Sequence, residues 1–174
     1  MKKNILLLLS LFLVMNCFAQ ETKTKDTKEV ETSVYYLIRH AEKDRSDKSN
    51  KDPNLTKIGN NRAAYWADVF KNVKFDAVYS TEYNRTRETA TPTAKANEVE
   101  ITSYHPFKID FPKFLKTTKG KTVLIVGHSN TTPSFTNRLL NKELFESIDD
   151  NNNGNVYIVT ITGETKTVQL LTIN

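Results

Sequence analysis

The sequence predicts a three-layer α/β sandwich with a largely parallel central sheet, and three observations carry that prediction. Apolar, strand-like runs alternate with helix-like stretches along the chain, the arrangement that places helices on both faces of a sheet. Two of the runs, Val34–Ile38 and Thr122–Val126, are nearly unbroken, as expected of strands buried on both faces. Each stops at a polar group that contains a histidine, Arg39-His40 in the first and Gly127-His128-Ser129-Asn130 in the second.

The chain opens with Lys2 and Lys3, a short apolar run from Ile5 to Val14, and a small-residue boundary at Cys17-Phe18-Ala19-Gln20. This is the pattern of a secretory signal peptide over 1–19, cleaved after Ala19, and it implies a periplasmic or secreted protein. An apolar run of about ten residues is too short to cross a hydrocarbon core of roughly 30 Å as a helix, so no stable membrane span is expected. Cys17 offers a lipoprotein alternative, although Asn16 stands where such an acceptor site carries a small residue. Residues 20–33 are Thr, Lys, Glu and Asp around a single Val30 and read as a flexible polar tether. The rest, 34–174, suits one domain. Cleavage after Ala19 leaves it without cysteine, hence without a disulfide or a cysteine-ligated metal.

The 25 Lys and Arg against 20 Asp and Glu give a net charge of +5, and removing Lys2 and Lys3 leaves 23 against 20, or +3. The charge is scattered and lacks basic blocks interleaved with aromatics, so nucleic acid is not an expected partner. A mild positive field favours small anions.

Beyond the first strand, Glu42 to Asn54 is almost wholly polar and reads as a loop rimming Arg39 and His40. Thr56 is placed to cap a helix in which Ile58, Arg62, Ala63, Trp66, Val69 and Phe70 form one stripe; Gly59 weakens it by about 1 kcal/mol. Ala77–Tyr79 is a short second strand running into Ser80-Thr81. A helix follows from about Tyr83, which Pro92 is expected to kink or shorten. A third strand is expected around Glu100 to Ser103, then the irregular Tyr104-His105-Pro106-Phe107 and a short helix from Phe111 to Thr117. After Thr122–Val126 a helix starts near Thr131 or Thr132, with Pro133 in its first turn. Val156–Ile161, a turn at Gly163-Glu164 and Thr167–Ile173 form a terminal hairpin.

Two of the three histidines therefore sit just past the carboxyl ends of strands, where open α/β sheets place their ligand sites. Arg39 and Arg85 supply planar forks that match phosphate oxygens, each charge-assisted bond contributing roughly 1.5–3 kcal/mol, and the helix starting near Thr131 directs free amides to the same edge. The pocket implied is one for a dianion.

Arg39-His40-Ala41-Glu42, followed far downstream by Gly127-His128-Ser129, resembles the histidine phosphatase superfamily, which includes the phosphoglycerate mutases. Leu55-Thr56-Lys57-Ile58-Gly59 resembles the family's Leu-Thr-x-x-Gly helix start, and Ser80 to Ala90 resembles its second arginine motif. The resemblance implies a phosphoglycerate mutase-like fold. It makes His40 a phosphate-accepting nucleophile, with Arg39, Arg85 and His128 holding the phosphoryl group and Ser129 and Asn130 beside them. Nearby arginines are expected to disfavour protonation of His40, and a hydrogen bond from its second nitrogen to a carbonyl to fix its tautomer. The family's usual acidic glutamate has no clear counterpart here. Asp110, Glu82 and His105 are the candidates for general acid.

Other readings are weaker. Asp149, Asn151, Asn153 and Gly154 match the opening of a calcium loop, but Thr160 stands at its twelfth position and a strand starts at Val156, so a polar turn is expected. Zinc held by His40, His128 and Glu42 is disfavoured by adjacent Arg39 and by the lack of a fourth ligand. Trp66, Tyr35, Tyr36 and Tyr65 follow packing periods and read as core or strand-face aromatics. The expected activity is a metal-independent phosphomonoesterase without cofactor, acting on a phosphorylated small molecule or side chain. A phosphate-binding module with little turnover and a mutase-type transferase are the alternatives.

Overall fold

The computed structural model describes residues 30–173, in which six strands form one sheet. In chain order the elements are β1 (Thr32–Arg39), α1 (Lys57–Val69), β2 (Ala77–Ser80), α2 (Asn84–Ala96), β3 (Ile101–Ser103), α3 (Phe111–Thr117), β4 (Thr122–Gly127), α4 (Thr131–Leu140), β5 (Asn155–Thr162) and β6 (Thr165–Thr172). The strand order is β3-β2-β4-β1-β5-β6. The first four strands of that order run parallel to one another, while β5 pairs antiparallel with β1 and β6 antiparallel with β5. The expected α/β fold with a largely parallel sheet is thus what the chain adopts.

Alternation along the strands sends successive side chains to opposite faces and so to two cores. Ile38, Val78, Leu124 and Val126 meet Trp66 and Phe70 of the α1 layer and Ala90 and Ala94 of α2. Tyr35, Leu37, Val123 and Ile125 meet Phe114 of α3 and Phe135 and Leu139 of α4. Leu37 and Ile38 are fully buried, which accounts for the unbroken apolar reading of β1.

Several boundaries differ from those read in the sequence. β1 starts at Thr32, two residues before Val34, because β5 is long enough to pair with it: Thr32 Oγ1 meets Thr162 Oγ1 at 2.8 Å, and buried Ser33 accepts a hydrogen bond from Gly120 N. The signal-peptide reading of 1–19, Cys17 and the tether as far as residue 29 lie outside the described residues. The α1 stripe is Gly59, Ala63 and Trp66, continued by Phe70, and Ile58 and Tyr65 are exposed instead. The stripe rotates because Gly59 docks on Glu42: a Cβ there would stand 2.2 Å from Glu42 O, which also accepts hydrogen bonds from Thr56 N and Thr56 Oγ1. Thr56 caps the helix as expected, accepting from Gly59 N at 3.0 Å. Pro92 does not end α2; buried Ala90, Thr93 and Ala94 flank it, and their packing carries the helix on to Ala96. Among the described residues no helix is long and apolar enough to cross a membrane.

Candidate active site

The parallel pairing of β1 with β4 sets Arg39 opposite Gly127, so the residues that follow, His40 and His128, emerge side by side at the carboxyl edge of the sheet. Their rings lie 5.4 Å apart, centroid to centroid, and His40 N donates to Gly127 O at 2.9 Å. Gly127 is required there, since a Cβ would meet both Thr131 Oγ1 and Thr132 Oγ1 at 2.9 Å and push the start of α4 off the strand end. β2 ends alongside at Ser80, and the first turn of α2 brings in Arg85. Arg39, His40, Arg85, His128, Ser129 and Asn130 all line one cavity of about 740 Å³.

The hydrogen bonds give the two histidines opposite tautomers. His40 Nδ1 lies 2.7 Å from Ala41 O, a pure acceptor, so Nδ1 carries the proton and Nε2 keeps its lone pair. For His128 the proton is fixed through two hydroxyls. Thr86 Oγ1 lies 3.0 and 2.8 Å from the carbonyls of Thr81 and Tyr83, which take up its one proton, and so it accepts from Thr81 Oγ1, 2.8 Å away. With its own proton engaged, Thr81 Oγ1 must accept from His128 Nε2 at 3.0 Å. His128 Nδ1 is therefore bare, and Arg85 Nη2 approaches it to 3.5 Å.

Both rings are held neutral. Burial lowers the His40 pKa to about 3, against the bond to Ala41 and with the charge of Arg39 adding to the effect. Burial, followed by the charges of Arg85, Lys43 and Arg39, lowers His128 to about 4. Desolvation thus outranks the arginines that the sequence reading made responsible.

Arg39 is almost fully buried and clamped from one side. Its Nη1 donates to Asp149 O and Asn152 O at 2.9 and 3.1 Å, and its Nη2 pairs with Asp150 Oδ1. Asn153 Nδ2 donates to His40 O at 2.8 Å, so one loop fixes both residues of the Arg-His pair. Arg39 Nε, Arg85 Nε and Arg85 Nη1 are buried with no hydrogen-bond partner, although Asp52 Oδ1 stands 3.6 Å from Arg85 Nη1. Unpaired buried donors each cost about 1–3 kcal/mol, and an anion in the cavity is the partner that would satisfy them.

The candidate acids separate. Glu82 and His105 line the cavity, both exposed. Asp110 does not line it: it is the N-cap of α3, its Oδ1 accepting from Lys113 N at 3.1 Å, which removes it from the candidates. The segment that matched a calcium loop is the loop that clamps Arg39, and no group of three or more potential ligands positioned for a metal occurs among the described residues. Lys43, Tyr83, Phe107 and Asp150 also line the cavity and were not singled out from the sequence. Only Asp150 had a local signal, a carboxylate in a polar run just before a strand.

Residues 35–108 match the family model of the histidine phosphatase superfamily, branch 1. Across this segment, which is less than half of the chain, the sequence is similar to that superfamily. The matched segment holds Arg39, His40 and Arg85, and His128 lies beyond it. Similar folds occur among solved structures. One from Agrobacterium tumefaciens, assigned as the phosphohistidine phosphatase SixA, aligns with a TM-score of 0.59 at 18% identity, over 81% of this chain and 99% of that one. Phosphoglycerate mutase from Bacillus anthracis aligns at 0.63 and 13%, over 83% and 94%. An Escherichia coli structure assigned as an α-ribazole-5′-P phosphatase aligns at 0.65 and 16%, over 81% and 96%. At these identities the likeness establishes the fold. No curated protein matches the sequence at a significant level.

Proposed function

We propose that this chain is a metal-independent phosphomonoesterase that works through a phosphohistidine on His40. The observation that carries the reading is the bare Nε2 of His40 in a cavity whose two arginines retain unpaired N–H groups. Nε2 forms a bond to phosphorus as the ester P–O bond breaks, and the leaving oxygen takes a proton. Water then attacks phosphorus, the N–P bond breaks and inorganic phosphate departs. Arg39 and Arg85 stabilise the charge on the equatorial oxygens in transit, with His128, Ser129 and Asn130 around them. The two cations repel a metal ion from the same place. Glu82 and His105 are the candidate acids that line the cavity.

The names of the similar structures, two phosphatases and a mutase, agree with phosphoryl transfer. The signal-peptide reading of 1–19 places the reaction outside the cytoplasm, which amino-terminal sequencing of the mature protein tests. Release of phosphate from p-nitrophenyl phosphate in EDTA, by the wild type and by His40→Ala, tests the chemistry. Activity that His40→Ala abolishes supports it. Inactivity of both proteins with intact folds makes the chain a phosphate-binding module, and a requirement for a bisphosphate activator makes it a mutase.

A further inference from the structure

The cavity is larger than a phosphoryl group needs, and part of its wall is apolar. Tyr104 anchors that wall: its ring packs edge-on to Phe135 at 5.7 Å and its N–H bonds to Ser80 O. Beyond it the chain makes a tight turn in which Lys108 N and Ile109 N both donate to His105 O and Phe107 N donates to His105 Nδ1. This turn holds Phe107 up at the cavity with 72% of its surface in water, the most exposed of the large apolar side chains described. Tyr83, 44% exposed, links this rim to the anion end, since the Arg85 guanidinium lies 4.2 Å over its ring and the His128 ring meets its ring at 5.1 Å. The anion end at Arg85, with Tyr83 beside it, and the apolar rim at Phe107 thus belong to one cavity.

A second, independent observation concerns the proton for the leaving oxygen. Asp150 is held ionised by Arg45 and Arg39. Among the described residues no hydrogen bond or ion pair aims Glu82. His105 Nδ1 is engaged as the acceptor from Phe107 N, and among the described residues no hydrogen bond aims its Nε2. An alkoxide leaves poorly without a positioned acid, whereas an aryloxide delocalises its charge and leaves without one.

We propose that this site takes aryl phosphomonoesters, with the ring against Tyr83 and Phe107 and the phosphoryl group between the arginines and histidines. The proposal rests on the His40 reading only for its chemical step: the N–P bond forms as the aryl O–P bond breaks, the aryloxide leaves with the electron pair and takes its proton from solvent, and water regenerates His40. Recognition is tested apart from turnover by calorimetric titration with benzylphosphonate and ethylphosphonate, equal in charge and not hydrolysable. Benzylphosphonate is expected to bind about tenfold tighter, a preference that Phe107→Ala reduces to about twofold while leaving the affinity for inorganic phosphate unchanged. Equal affinities for the two phosphonates overturn the proposal, as does a preference that persists in both Phe107→Ala and Tyr83→Leu. Aryl preference in binding without hydrolysis of phenyl phosphate would uphold the recognition and defeat the hydrolase reading. Hydrolysis without aryl preference would do the reverse.

Discussion

Thr81 Oγ1 stands 3.0 Å from His128 Nε2, and the proton between them belongs to the histidine. Nitrogen-15 NMR of the imidazoles near pH 7 should therefore find the unprotonated nitrogen at Nε2 in His40 and at Nδ1 in His128. Thr81→Val keeps the shape and removes the acceptor, so the ring either leaves a buried N–H unpaired or turns its proton toward Arg85. The valine variant should lose about 1–3 kcal/mol of stability and bind phosphate several-fold more weakly, and Thr81→Ser should recover both. Matching tautomers in the two rings, or a valine variant indistinguishable from wild type, would sink this account.

Neutral buried histidines also set a pH dependence. The folded pKa values, about 3 for His40 and about 4 for His128, lie below the ordinary 6.5, so from pH 6.5 downward the unfolded chain takes up protons that the folded chain refuses. The stabilisation is complete above pH 6.5 and declines as pH falls toward the folded values, by up to about 1.4 kcal/mol per pH unit for each histidine. Urea unfolding between pH 7 and 4.5 should show this slope, and His40→Gln with His128→Gln should flatten it. By the same token, kcat/KM for p-nitrophenyl phosphate should have no acid limb from His40 or His128 near 6.5.

Asp150 places a carboxylate at the anion cavity. Burial opposes its charge, but the hydrogen bond from Arg45 and the charge of Arg39 outweigh that and hold its carboxyl below the usual range. Asp150→Asn removes a negative charge facing the anion while Arg39 keeps its bonds to Asp149 O and Asn152 O. Inorganic phosphate should then bind several-fold more tightly at low salt, with the gain shrinking as salt is raised. Weaker binding would mean that Asp150 acts chiefly to aim Arg39.

At Gly59, helix propensity and packing oppose each other. Alanine would favour the helix by about 1 kcal/mol, but its Cβ would lie 2.2 Å from Glu42 O, so α1 must lift from the residue two places after His40. Gly59→Ala should be net destabilising by about 1–3 kcal/mol in thermal unfolding, and should lower activity by displacing the segment that carries His40. A rise in Tm would show that the contact is soft.

That His40 and His128 share a sheet edge was legible because each ends an apolar run, and the ends of parallel strands in an α/β sheet lie together. Thr56 was legible as a cap because capping is local. The clamp on Arg39 was not: Asp149, Asn152 and Asn153 lie more than a hundred residues away, and their polar run has the composition of any surface turn until β5 pairs with β1. Asp110 and Glu82 have the same chemistry in the sequence; the helix from Phe111 was legible, but that Asp110 is spent on its Lys113 N–H shows only in the structure. Ile58 and Tyr65 fell on the wrong side of α1 because the helix is rotated by its contact with Glu42, which periodicity does not register.

The loop between α4 and β5 joins the last strands of the chain to the end of the first, so the anion cavity is incomplete until the most distant parts of the sequence have met. Closing a site across so long a stretch of chain carries a loop-closure cost that only the completed contacts repay. A phosphate bound between the arginines then acts on the finished molecule alone: it slows unfolding and leaves the rate of folding nearly unchanged. The same anion that this chain is proposed to process would in that way prolong the lifetime of its native state.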